Sequence, residues 1–345
     1  MKVVIVGGVA GGASAAARIR RLDEHAQIIM IERSGYVSYA NCGLPYYVGG
    51  VIKEQEELTL QTPESFWDRF RIDVRVRQEV TAINPTEKTV TVHALDSGKV
   101  YTETYDKLLL APGAKPTVPA LSGVSSERVF TLRTVEDTLR IRHFVEDQKP
   151  KTAVLAGGGF IGLEMAENLT EMGVSVTIVQ RPNQLLAPLD ADMASFVHAE
   201  MRRHGVTLRL GETVTGFRQD GDSVLTLESS EPLHSDMVLL AIGVTPDTHL
   251  AKDVGLELGI RGSIAVTERM ETSVPDIYAV GDAVEVTHFV TGQKALISLA
   301  GPANKQGRIA ADNICGGNSR FTGSQGSSVL KLFGLTAAST GINEK

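Results

Sequence analysis

Hydrophobic positions along this chain fall into two matching series. The apolar run Val3-Val4-Ile5-Val6 breaks at Gly7-Gly8. An alanine-rich stretch with helical spacing follows, and a second apolar run, 28–31, ends in Glu32-Arg33. From Thr152 the same order returns: an apolar run to Ala156, the glycines Gly157, Gly158 and Gly159, an amphipathic stretch, then a run to Val179 ending in Gln180-Arg181. Short apolar runs without alternation fit parallel strands covered on both faces. Residues 2–33 and 152–181 therefore each predict a β-α-β unit. Downstream of each, apolar and polar residues alternate. Residues 76–116, with turn signals at Asn84-Pro85 and Asp96-Ser97-Gly98, and residues 206–246 predict antiparallel meanders. Each meander returns to an apolar strand that ends in Gly113 or Gly243.

The expected fold class is α/β, with two Rossmann-like dinucleotide-binding domains and a β-meander in each. Strands around 264–280 and a helix over 302–314 have no place in the second half, so they complete the first domain. The boundaries follow: 1–113 and 244–325 for the first domain, 114–243 for an inserted second one. The tail 326–345 has strand-like alternation but stops almost at once, and a strand without partners is not stable alone. It reads as the first strand of a further, truncated interface domain.

Length and charge narrow the function classes. The chain has 345 residues and a formal net charge of −7. A mildly acidic surface argues against nucleic acid or an anionic membrane as partner. No apolar run reaches the roughly 18 residues of a membrane span, and no basic leader with an apolar core opens the chain. Two cysteines, Cys42 and Cys315, make no disulfide framework and fit a reducing, cytoplasmic compartment. No metal-ligand spacing stands out. The expected partner is a small molecule.

The second glycine turn, Gly157-Gly158-Gly159-Phe160-Ile161-Gly162, is a full G-x-G-x-x-G between a strand and a helix. Gly157 permits the tight turn, Gly159 lets the backbone approach a pyrophosphate, and Gly162 lets helix and strand pack closely. The helix N-terminus offers bare N–H groups and a positive dipole end to the phosphates. No acidic residue ends the next strand. Gln180 can hydrogen-bond a ribose hydroxyl. Arg181 is either a receiver for a 2′-phosphate or a solvated surface charge, so NADH and NADPH both stay open. The first turn, Gly7 to Gly12, carries Val9 at the middle glycine position, and Glu32 stands where a ribose would be held. Two dinucleotide sites in one chain fit a flavin and a nicotinamide passing a hydride.

Cys42, in "SYANCGLPYYVGG" (38–50), has three readings: a buried filler, half of a disulfide, or a redox thiolate. Pro45 suits the first turn of a helix. Cys42 would then precede a helix N-terminus, whose dipole would stabilise a thiolate and lower its pKa.

Together these features resemble the two-dinucleotide-domain flavoprotein disulfide reductases. "TSVPDIYAVGDAVE" (272–285) is similar to the second FAD motif of that superfamily, and "LLLAPGAKP" (108–116) to its inter-domain link. "SYANCGLPYYVGG" and "LAGPANKQGRIAADNI" (299–314) resemble the branch of coenzyme A-disulfide and NAD(P)H-dependent persulfide or polysulfide reductases. The resemblance implies FAD along Gly7, Val9, Ala10, Gly11, Gly12, Glu32, Arg33, Val80, Pro112, Gly113, Gly281, Asp282, Ala300 and Pro302. It implies NADH or NADPH along Gly157, Gly159, Phe160, Ile161, Gly162, Gln180, Arg181 and Gly243. It makes Cys42 the single redox cysteine, and Ser14, Arg18, Arg21, Ser38 and Asn41 the coenzyme A contacts. Arg18 and Arg21 are three apart on the first helix, hence on one face, and guanidinium forks suit phosphates. They can equally be solvated surface arginines beside Arg20.

The resemblance also implies a homodimer whose interface domain supplies tyrosines to the partner's site. The alternative enzyme is an NADH oxidase or peroxidase. Members of that group carry a histidine where this chain has Ala10, and its absence counts against them. A flavin-dependent redox sensor with little turnover is the alternative outside enzymes. The proton donor to the leaving sulfur is not legible; His288 is a weak candidate.

Overall fold

The computed structural model describes residues 1–221, 223–228 and 231–344. Asp222, Ser229 and Ser230 of the second expected meander, and Lys345 of the tail, lie outside the described residues. The chain divides into two units. The first holds 1–39, 59–115 and 245–326, and the second holds 40–58, 116–244 and 327–345.

In the first unit a five-stranded sheet runs in the order Ile277–Ala279, Lys107–Leu110, Lys2–Val6, Gln27–Glu32, Asp73–Val76. Every pairing is parallel. Val3, Val4, Ile5, Leu108 and Leu109 are fully buried, which is why these runs read as unbroken apolar stretches. The meander Gln78–Asn84, Thr89–Ala94, Val100–Thr104 is antiparallel, with a bulge between Val80 and Ala82.

The second unit repeats the plan. Its parallel sheet runs Val129–Thr131, Met237–Leu240, Thr152–Ala156, Ser175–Gln180, Thr207–Leu210. A three-stranded antiparallel meander, Val214–Asp220, Ser223–Glu228 and Leu233–Ser235, accompanies it. The α/β class, with two Rossmann-like sheets and two meanders, is the one the hydrophobic pattern predicts.

The two glycine turns have one construction. Gly7 and Gly157 sit at φ +101° and +113°, where a side chain is strained. A Cβ on Gly12 would lie 1.9 Å from the Gly7 carbonyl oxygen, and one on Gly162 would lie 2.1 Å from that of Gly157. The helices Ala10–Leu22 and Phe160–Glu171 can start this close to their strands only because those positions are bare.

The tail differs from expectation. It is a hairpin, Ser328–Leu332 with Leu335–Ser339, rather than one strand lacking a partner. The two-residue turn Phe333-Gly334 folds the strand back on itself. Leu330 and Leu332 are buried beneath it within the second unit. The turn is tied down by Glu167, which accepts from Phe333 N–H at 2.7 Å, and by Glu200, which accepts from Gly334 N–H at 3.2 Å.

Gly162 and Gly159 separate the two demands on a glycine turn. Gly162→Ala should lose roughly 1–3 kcal/mol of stability through overpacking. Gly159 has ordinary extended backbone and open space around it. Gly159→Ala should therefore stay within about 0.5 kcal/mol of wild type. Urea denaturation of the two variants checks the contrast; equal losses would contradict it.

Candidate active site

Cys42 belongs to the segment 40–58, which groups with the second unit although its sequence interrupts the first. It lies in a short turn of 3-10 helix, Asn41–Gly43, that runs into the helix Leu44–Val48 with Pro45 in the first turn. Bare backbone makes this docking possible. A Cβ on Gly49 would fall 2.0 Å from Oδ1 of Asn168, on the helix Phe160–Glu171. Arg142, from the helix Val135–Gln148, donates to the Tyr47 carbonyl at 2.8 Å and stands over the Tyr47 ring at 4.6 Å. The cysteine is thus carried by helices of the nicotinamide-type unit. Arg142 and Asn168 have no sequence motif, so only the fold reveals them.

Cys42 is exposed and free, and Cys315 is also free, half-buried at the end of the helix Ala300–Ile314 in the first unit. Neither the buried-filler nor the disulfide reading fits Cys42. The expected depression of its pKa does not hold either: the thiol is pushed up. Enough protein surrounds the sulfur for desolvation to raise it, and the nearby Glu164 carboxylate raises it further. The helix that follows covers only five residues, a weak dipole against those two effects. Burial, with Glu167 adding to it, pushes Glu164 itself up to about 7. Tyr46 is pushed up to about 12 by burial and then by Glu164, Glu167 and Cys42. Asn41 leaves its buried Oδ1 without a hydrogen bond among the described residues.

Both glycine turns fit a pyrophosphate. The loop at Gly157 is braced by Gln180, whose Oε1 accepts from Gly158 N–H at 2.9 Å while its Nε2 donates to the Gln184 carbonyl at 3.1 Å. Gly159 caps the helix, and nothing stands within 4 Å of where its Cβ would be. The packing of the chain therefore does not itself require a bare position there. Phe160 and Ile161 open the helix, and Gly243, at φ +111°, lies just beyond the return strand Met237–Leu240. Arg181 is exposed.

In the first unit Glu32 does what Gln180 does. Its buried carboxylate accepts from Gly8 N–H at 2.8 Å and from Ser34 N–H at 2.9 Å. Val9 is the N-cap of Ala10–Leu22, and Ala10 is its first residue. Gly7, Glu32, Arg33, Val80 and Pro112 line one cleft. Gly113 and Gly281 take positive φ, and Gly281 N–H donates to the buried Gln306 at 2.7 Å. Asp282 follows in a 3-10 turn, and Ala300 and Pro302 open the helix Ala300–Ile314. His288 follows the short strand Val286–Thr287 in this unit, its ring accepting from Thr291 N–H at 3.4 Å.

The coenzyme A candidates divide. Ser14 donates to Asn304 at 2.7 Å and Arg18 pairs with Asp312 at 2.8 Å, so both tie Ala10–Leu22 to Ala300–Ile314. Arg21 is exposed. Arg20 is no surface spectator: its guanidinium donates to the carbonyls of Phe70, Asp23, Glu24, Ala26 and Arg71. Ser38, at φ 47°, donates its N–H to Gly8.

Two parallel-sheet units, each with a glycine turn suited to a pyrophosphate, define a flavin- and nicotinamide-dependent oxidoreductase. Over residues 1–307 the chain matches the pyridine nucleotide-disulphide oxidoreductase family, and it belongs to that family. Its cofactors are FAD and NAD(P)H.

Among its relatives is the coenzyme A disulfide reductase of Staphylococcus aureus, 36% identical over 99% of this chain and 77% of that protein. Among solved structures, the reduced CoADR-RHD of Bacillus anthracis superposes with a TM-score of 0.97 at 50% identity. The match covers 99% of this chain and 62% of that one. The NAD-dependent persulfide reductase of A. fulgidus gives a TM-score of 0.96 at 38% identity, over 100% of this chain and 64% of that one. The chain thus spans less than two thirds of these two structures. No helix among the described residues is long and apolar enough to cross a membrane.

The charge beside Cys42 is open to test. Glu164→Gln removes a neighbouring negative charge that opposes the thiolate, so the Cys42 pKa should fall. Iodoacetamide alkylation of Cys42, followed against pH, should show its midpoint displaced to lower pH in the variant. An unmoved midpoint would mean Glu164 does not act on the sulfur.

Proposed function

We propose that this protein uses NAD(P)H to reduce coenzyme A disulfide, coenzyme A persulfide or polysulfide, with Cys42 as its one redox sulfur. The observation that carries this reading is a free, exposed cysteine on the nicotinamide-type unit with the other cysteine in the other unit. The second sulfur then comes from the substrate.

FAD held along Gly7–Gly12, Glu32 and the turn at Gly281 would relay two electrons from the nicotinamide to sulfur. The protein's own groups do the rest. Cys42 loses its thiol proton and its sulfur attacks a substrate disulfide, forming a mixed disulfide and releasing one product thiolate, which takes up that proton. Two electrons and a proton then cleave that mixed disulfide, restoring Cys42 thiolate and releasing the second product as a thiol. Glu164, pushed up to about 7 by burial, is near enough to Cys42 to act on it and can give a proton around neutral pH. Asn41, with an unused buried acceptor, is the candidate substrate contact of the second unit, and Ser38 and the exposed Arg21 are those of the first. The exposed Arg181 would favour a 2′-phosphate. Two free thiols fit a reducing cytoplasm.

Two variants test this reading. Cys42→Ser should abolish turnover of coenzyme A disulfide in steady-state assays while FAD stays bound by its visible spectrum; full retention of activity would refute the mechanism. Arg181→Ala should raise KM for NADPH by about tenfold, the loss of one charge-assisted phosphate contact, and leave KM for NADH within twofold. Equal effects on both would return Arg181 to the solvated surface.

A further inference from the structure

One buried acid of the first unit has neighbours that the sequence did not connect with it. Asp247 is 3% exposed and lies just after the chain re-enters this unit at Thr245. Its N–H donates to the Gly113 carbonyl at 3.0 Å. One carboxylate oxygen meets Arg33 Nη2 at 2.9 Å. The other accepts from His249 Nδ1 at 3.1 Å and lies 3.9 Å from Lys115 Nζ. Arg33 Nη1 lies 4.0 Å from Glu79.

Arg33, Glu79, Asp247 and His249 line the same cleft as Gly7, Glu32 and Val80. That cleft begins at the glycine turn. Its ligand is therefore a group attached to a pyrophosphate. Apolar walls from Ile31 and Val80 suit a flat ring, and the carboxylates suit a sugar's hydroxyls. Arg33 is half exposed and its side chain is rich in rotamers, so an untethered Arg33 would have to be ordered by the ligand. Asp247 does this ordering in advance. Burial would raise its pKa, but His249 and Arg33 hold it below the usual carboxylate range, so it stays charged at neutral pH. A buried carboxylate is stable only with such partners.

We propose that Asp247 is a positioning residue for the adenosine half of FAD: it locks Arg33 along the cleft, and Arg33 makes the contact. This rests on the reading that the first glycine turn holds FAD.

FAD release from the holoenzyme, followed by the rise in flavin fluorescence, tests it in wild type, Arg33→Ala, Asp247→Asn and the double variant. Each single variant should release FAD roughly tenfold faster, the effect of losing one contact to a charged group. The double variant should be no faster than Arg33→Ala alone, because Asp247 acts through Arg33. Asp247→Asn speeding release equally with and without Arg33 would mark a merely structural acid and overturn the proposal. Arg33 is half exposed, so Arg33→Ala should fold whatever becomes of the Asp247 variant; release at the wild-type rate from it overturns the proposal alone. A wild-type chain that holds no FAD would overturn the cofactor reading as well.

Discussion

Everything chemical in this protein depends on a hydrogen bond made twice, between the end of one strand and the glycine turn beside it. Glu32 accepts from Gly8 N–H, and Gln180 accepts from Gly158 N–H. Each bond fixes a loop whose neighbouring glycines bring helix and strand within van der Waals contact. Only then do the first N–H groups of the helix converge on one point, which is the physical basis for holding a pyrophosphate. The same bond explains why an acid at the first turn and an amide at the second serve equally well. The required atom is an acceptor oxygen, and charge is secondary.

Cys42 depends on a different constraint. Its segment is pinned to the second unit by Arg142 on the Tyr47 carbonyl and by the bare Gly49 against Asn168. The pinning places the thiol near Glu164, an acid that burial pushes up to about 7. The pair therefore does not resemble a thiolate stabilised by its surroundings. The resting sulfur of the protein alone favours the thiol, and a nearby carboxyl shares the titration range of the medium.

The sequence made the sheets legible because parallel strands buried on both faces leave unbroken apolar runs, such as Val3 to Val6 and Ala153 to Ala156. It made the turns legible because Gly7, Gly12, Gly157 and Gly162 are sites where no side chain fits. Tertiary partnerships left no such trace. Nothing local to Arg18 or Ser14 discloses that they bind Asp312 and Asn304 on a helix far along the chain. Arg20, an ordinary cation in sequence, caps five carbonyls. The thiol's raised pKa is not legible for the same reason. The local helix argued for a lowered value, while burial and Glu164, a residue distant in sequence, decided it. The tail's second strand is not legible because its turn, Phe333-Gly334, is short and its anchors are the remote acids Glu167 and Glu200.

The central claim is that Cys42 receives the substrate's sulfur. The most direct measurement is mass spectrometry of the proteolysed chain after exposure to coenzyme A disulfide without any reduced nicotinamide. The account predicts one coenzyme A thiol in disulfide linkage on the peptide containing Cys42, removed by dithiothreitol. An unmodified Cys42, or the adduct on Cys315 instead, would contradict it.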